Sequence, residues 1–189
     1  MEFINNIGYD FFALKDANTT GGLWAYGYTD FPTSPDLSKM TGSREEFVKL
    51  LEKLKFTEIS DPMTTEKAIQ VINNLPAGDT RINCLVFFSA QKNTQLLTPI
   101  NPINKEIKRI VAVGYDSTDL GKVVGTRGVA VSVPYYWKDS DVENVVKAIQ
   151  GTYKPTTPKP STTPRPTTTP SKFASFLLLH EKGAHTLPQ

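Results

Sequence analysis

Three short runs of the chain, Ile82–Phe88, Ile110–Val113 and Val129–Val133, are almost uninterruptedly apolar and rich in branched or aromatic residues. As strands they have no polar face to offer to water. They therefore need cover on both sides, which is the situation of a parallel sheet between two layers. Leu23–Tyr28 is a fourth, weaker strand candidate.

The cover is present in the intervening sequence. In Ser43–Phe56 the apolar residues Phe47, Val48, Leu50, Leu51, Leu54 and Phe56 recur at helical spacing, opposite a charged face of Arg44, Glu45, Lys49, Glu52, Lys53 and Lys55. Ser43 with Glu46 three residues on predicts a capping box. Thr65–Leu75 repeats the pattern with Ala68, Ile69, Ile72 and Leu75 and is stopped by Pro76, and Asp141–Ile149 repeats it again before Gly151. A shorter helix is expected over Asp119–Val124. Phe3, Ile4, Ile7, Phe11, Phe12 and Leu14 give the N-terminal segment the stripe of another covering helix. The predicted order is helix, strand, helix, helix, strand, helix, strand, helix, strand, helix. Such alternation implies right-handed βαβ crossovers and an α/β, three-layer Rossmann-like sandwich with a mostly parallel sheet.

The composition changes after Gly151. Residues 152–171 hold ten serines or threonines and six prolines, with Tyr153 the only large apolar residue. A stretch like this cannot bury enough surface to offset its ordering entropy, and each proline removes an amide donor. It reads as a spacer, and its composition is that of a mucin-like, O-glycosylated stalk outside the cell. The sequon Asn18-Thr19-Thr20 agrees with a glycoprotein. Residues 1–151 are thus expected to form the domain, 152–171 the stalk, and 172–189 a disordered tail that adds nothing to the fold. Phe173–Leu179 is the exception to weigh, because an exposed PheLeuLeuLeu is a liability unless it docks on the domain.

Charge and cysteine content exclude several classes. The chain carries 21 basic and 19 acidic residues. Lys154, Lys159, Arg165, Lys172 and Lys182 against Glu181 put a net +4 beyond residue 150, which leaves 16 basic and 18 acidic residues, −2, in residues 1–150. The basic balance belongs to the tail, so no nucleic-acid partner is expected. The single cysteine, Cys84, rules out an internal disulfide and a cysteine-based zinc site, and its apolar surroundings suit a buried thiol. No signal peptide is recognisable at the start. The apolar stretch Phe173–Leu179 is far shorter than the ~20 residues of a membrane span.

Three segments together carry a family resemblance: ArgIleAsnCysLeuValPhePheSerAlaGln (81–91), LysArgIleValAlaValGlyTyrAspSerThrAspLeu (108–120) and GlyValAlaValSerValProTyrTyrTrpLysAspSerAspValGluAsnValValLysAlaIle (128–149). They resemble the second half of a von Willebrand factor A domain, and the resemblance extends over about residues 1–150. With the threonine/proline stalk behind it, the chain is also similar to secreted nematode proteins that string A domains and C-type lectin modules on such linkers. The resemblance implies a domain whose first strand has no counterpart in this sequence. That central strand would lie between the equivalents of Leu23–Tyr28 and Ile82–Phe88. It further implies a metal-ion-dependent adhesion site at the carboxyl ends of the strands, built from Asp-x-Ser-x-Ser, a threonine before a helix and the aspartate of Thr-Asp-Gly.

Carried over residue by residue, that site is degenerate. The chain contains no Asp-x-Ser-x-Ser. Met63 stands at the ligating threonine and Thr65 at the second one, while Ser89, Ala90 and Gln91 stand on Thr-Asp-Gly. Met63 and Ala90 are poor ligands for Mg²⁺ or Ca²⁺, and if Thr64 took over the ligand role a carboxylate would still be lacking. Asp116, Ser117, Thr118 and Asp119 form a polar cluster at a strand end, where open α/β sheets bind ligands, but capping by Ser117 or Thr118 accounts for it more simply. Asp139, Ser140 and Asp141 have the same explanation. Gly121, Gly125 and Gly128 make no phosphate-binding fingerprint, and His180 and His185 lie beyond the stalk with no nucleophile to serve. The expectation is a non-enzymatic, extracellular protein-interaction or adhesion module with no cofactor and a protein or glycan ligand. The alternatives are a Rossmann-like nucleotide-binding protein or enzyme, and a fragment of a complete metal-dependent adhesion protein.

Overall fold

A computed structural model describes residues 1–14, 19–76 and 82–155, together with the backbone of 175–182. Asn18, the proline-rich run from residue 156 and His185 lie outside the described residues, while Thr19 and Thr20 of the sequon are described. The elements in order are α1 (Glu2–Phe12), β1 (Thr19–Tyr26), α2 (Arg44–Glu52), α3 (Thr65–Asn73), β2 (Ile82–Ser89), β3 (Arg109–Tyr115), α4 (Gly121–Val124) continued by a 3₁₀ turn at Gly125–Arg127, β4 (Gly128–Val133), α5 (Asp139–Gln150) and β5 (Ser175–Lys182).

The sheet has the order β1-β5-β2-β3-β4. β2, β3 and β4 pair in parallel, and β5 is antiparallel to both β1 and β2. The fold is mixed α/β and compatible with a Rossmann-like arrangement. Because β5 opposes both of its neighbours, β1 runs in the same direction as β2, β3 and β4, and all four carboxyl ends lie at one end of the sheet.

The apolar runs are buried on both faces. On one side Val86, Phe88, Val111, Val113, Val131 and Val133 pack under α1, α2 and α5, meeting Phe3, Ile7, Phe11, Phe47, Val145 and Ile149. On the other, Trp24, Leu85, Phe87, Ile110 and Ala112 meet Ala68, Ile69 and Ile72 of α3 and Val123 and Val124 of α4. Ile82 and Cys84 face opposite cores although they are two residues apart. The register against β5 slips between them, and this irregularity turns the strand by one position. The outer edge of β1 is blunted by a short bridge, in which Gly21 and Thr41 exchange two backbone hydrogen bonds of 2.8 and 2.9 Å.

The local signals act largely as read, with instructive exceptions. Ser43 caps α2 by accepting from the Glu46 N–H, but the return arm of the box is rerouted: Glu46 accepts from the Thr41 hydroxyl, and Thr41 Oγ1 accepts from the Ser43 N–H at 3.0 Å. α2 stops at Glu52, and Phe56 leaves the helix to stack on Tyr28. α4 begins at Gly121 rather than Asp119. The expected helix between the second and third strands is absent. Pro99 and Pro102 break residues 90–108 into a loop held by Asn73, whose side chain donates to the Pro99 carbonyl (3.0 Å) and accepts from the Asn101 N–H (2.6 Å).

The largest correction concerns the C-terminal region. The expectation that residues 152–189 add nothing to the fold fails at Ser175–Lys182, which form an interior strand. The space between β1 and β2 is neither closed by direct pairing nor left open. β5 occupies it, with Leu178 in register between Leu23 and Val86, and Leu177 between Trp24 and Phe87. PheLeuLeuLeu is thus the same kind of two-sided apolar run as the other interior strands.

The last helix is closed by Gly151 in the left-handed region (φ 81°), with the Arg109 guanidinium donating to the Ile149 carbonyl beside it. A Cβ at Gly151 would stand 2.3 Å from Arg109 Nη2. Gly151→Ala is therefore expected to lower stability by about 1–2 kcal/mol. Urea denaturation monitored by circular dichroism measures it, and an unchanged midpoint would contradict this closure.

Candidate functional site

The carboxyl ends of β2, β3 and β4 are where an open α/β sheet presents loops to a ligand. β2 ends at Ser89, which is buried and accepts from the Gln91 N–H at 3.2 Å. The chain then crosses toward β3 so that the Lys92 ammonium donates to the Asp116 carbonyl (2.6 Å) and ion-pairs with its carboxylate. β3 turns back on itself immediately. Asp116 (φ 49°) and Ser117 (φ 59°) are both left-handed, and the Thr118 N–H closes on the Tyr115 carbonyl at 3.0 Å, so residues 115–118 form a type I′ turn made without glycine. The strain is held from two sides: the Ser117 N–H bonds Val133 O at 3.0 Å, and Gly114 gives the turn room, since a Cβ there would lie 1.9 Å from the Thr118 carbonyl. Left-handed non-glycine residues cost free energy and concentrate at sites where loop shape matters.

β4 leads into the third loop of this rim. Trp137 turns inward, edge-on to Phe3 (5.3 Å between centroids), and Phe3 in turn meets the ring of Tyr115. The Tyr115 phenol is pushed above its ordinary pKa by burial. The two preceding residues do the opposite. Tyr135 and Tyr136 stand edge-to-face at 5.0 Å and are 65% and 85% exposed, an aromatic pair in solvent on the same end of the sheet as Lys92 and Asp116.

The residues carried over from the adhesion-site motif are not gathered into a site. Met63 packs against the core under α3, Thr65 is buried as the first residue of that helix, and the Thr64 hydroxyl is spent as its N-cap, accepting from the Lys67 N–H at 3.2 Å. Among the described residues no hydrogen bond joins Met63 or Thr65 to Ser89 or Ala90, and no three His, Cys, Asp or Glu side chains converge where they could hold a metal ion. Capping by Ser117 or Thr118 is corrected: the Gly121 N–H is taken by Asp119 Oδ1 at 2.8 Å, and Thr118 Oγ1 is buried without a partner. At the last helix Asp141 does cap, accepting from the Lys138 N–H at 2.8 Å. His180 lies within β5, in register between Gly21 and Cys84. The tyrosine pair was missed from sequence because ProTyrTyrTrp follows a strand and continues its apolar character. The signal available was two bulky aromatics falling between a strand and a helix cap, outside either period.

Among the described residues no helix is long and apolar enough to cross a membrane. No family model, curated protein or solved structure matches the chain.

Two outcomes follow from this geometry. Thr118→Val removes a buried hydroxyl that has no partner while keeping its shape, so the variant is expected to be about 1 kcal/mol more stable by urea midpoint; a loss of that size would mean the hydroxyl is bonded. Burial pushes the Cys84 thiol up to about 12, against a smaller opposing pull from Arg109. With its folded pKa above the unfolded value of ~8.5, the thiol's contribution is complete below that pH and is lost as pH rises toward the folded value. Between pH ~8.5 and ~10 the protein is expected to lose about 1.5 kcal/mol more than Cys84→Ala does. Parallel pH profiles of the two proteins would show the thiol to be solvated.

Proposed function

We propose that the chain is a non-catalytic interaction module, a divergent von Willebrand A-like domain displayed outside the cell on its threonine/proline stalk, which takes a protein or glycan ligand on the carboxyl end of its sheet. The observation that carries the reading is the exposed Tyr135–Tyr136 pair, standing on the same end of the sheet as the Lys92–Asp116 ion pair and a strained, tightly held turn. Aromatic side chains presented by rigid loops offer contact area at little entropic cost, and they stack equally well on sugar faces and peptide groups. The A-domain reading draws on the parallel strands β2, β3 and β4 with helices on both faces, and on a strand standing between β1 and β2, where β5 runs opposite to both neighbours. The degenerate adhesion site is supported by Met63 and Ala90, which bring no hard oxygen side chain to the ligand positions.

The test is a panel of glycans and extracellular-matrix proteins, with nucleotides, dinucleotides, Mg²⁺, Mn²⁺ and Ca²⁺ titrated in parallel by calorimetry. Binding to a glycan or matrix protein is expected to be independent of EDTA and to weaken tenfold or more in Tyr135→Ser/Tyr136→Ser, whose melting temperature stays that of the parent. A nucleotide that raises the melting temperature, or a micromolar divalent site, would contradict the reading.

A further inference from the structure

The position of β5 carries an inference that rests on the sheet topology and not on the ligand reading. β1 and β2 each present a row of backbone donors and acceptors to the slot between them, and β5 satisfies both rows along its length. An empty slot would leave two strand edges unpaired inside the sheet, so the domain must hold a strand there. The strand that fills it is tied to the rest of the domain only through residues 152–174.

The ends of that tie lie far apart. Gly151 sits against Arg109 at the amino end of β3, whereas Ser175 enters the sheet opposite Tyr26, at the carboxyl end of β1. The chain has to travel back along the whole sheet, about 26 Å for an eight-residue strand. Residues 152–174 are rich in proline, and in an extended polyproline conformation they would reach about 70 Å, more than twice the distance needed. A tether with that surplus does not dictate which copy of the slot its strand enters. The same pairs form whether β5 folds back or crosses to a neighbour, and the choice is left to effective concentration.

We propose that β5 is an exchangeable strand: residues 175–182 of one chain enter the β1–β2 slot of a second copy, and reciprocal exchange gives a two-fold dimer in which each domain is completed by its partner. Both forms make the same ladder and bury the same strand, so they differ chiefly in the concentration dependence that the dimer's melting temperature alone carries. The closed monomer is favoured in dilute solution and the dimer at high concentration.

Shortening the tether decides between the copies. Deleting residues 155–173 keeps Tyr153, which packs against the core, and leaves Thr152, Tyr153, Lys154 and Ala174 between Gly151 and β5, at most about 18 Å of chain, too short to reach the protein's own slot. The shortened protein is expected to be a dimer by light scattering, with a melting temperature within a few degrees of the full chain. An excess of synthetic peptide covering residues 172–185 is expected to convert it to a monomer carrying the peptide. In the same background Leu178→Pro, which removes an amide from the middle of the ladder, is expected to abolish the dimer. A shortened protein that is monomeric with an unchanged melting temperature would overturn the proposal, because its slot would not need the strand. A dimer that survives Leu178→Pro would overturn it as well, as would an aggregate that the peptide does not rescue.

Discussion

The double ladder that β5 makes with β1 and β2 holds together two parts of the protein that otherwise share little. β2, β3 and β4 form a parallel sheet with helices on both faces, and their neighbours follow one another closely in sequence. β1 belongs to the same two cores through Trp24, Tyr26, Leu23 and Ala25, yet among the described residues it pairs only with β5 and, by a short bridge, with Thr41. Remove β5 and Trp24, buried at 2% exposure, sits on a strand with no sheet to join. The cost would be carried by backbone groups on both sides of the slot as well as by the apolar surface above and below it.

Completion of the sheet also positions the rim. The turn at Asp116–Ser117 is held by Gly114 of β3 and Val133 of β4, and Trp137 is anchored on Phe3 of α1, which packs across the same sheet. The exposed tyrosines are therefore mounted on a loop whose two ends are fixed, the last residue of β4 on one side and the capped start of α5 on the other. The docking proposed for this surface would gain from such support, since less freedom is lost on binding.

Most of the fold was legible because its signals are local. The interior strands announce themselves as two-sided apolar runs, and Ser43, Thr64, Asp141 and Gly151 punctuate the helices close to where the sequence places them. What was not legible is non-local. PheLeuLeuLeu says only that it must be covered; nothing in residues 173–179 says that the cover lies between β1 and β2, on the far side of a proline-rich tether. The site was harder still. The motif positions Met63, Thr65, Ser89 and Ala90 are used for packing and for ending elements, while the turn at Asp116–Ser117 adopts a backbone shape that sequence associates with Asn-Gly.

Amide hydrogen exchange across the sheet of the intact protein tests the central claim most directly. If β5 completes the sheet, the amides of β1 and β2 that face it exchange as slowly as those between β2 and β3, because all belong to one cooperative ladder. Rapid exchange along Thr19–Tyr26, with protection confined to β2, β3 and β4, would contradict the account and show that the slot stands open.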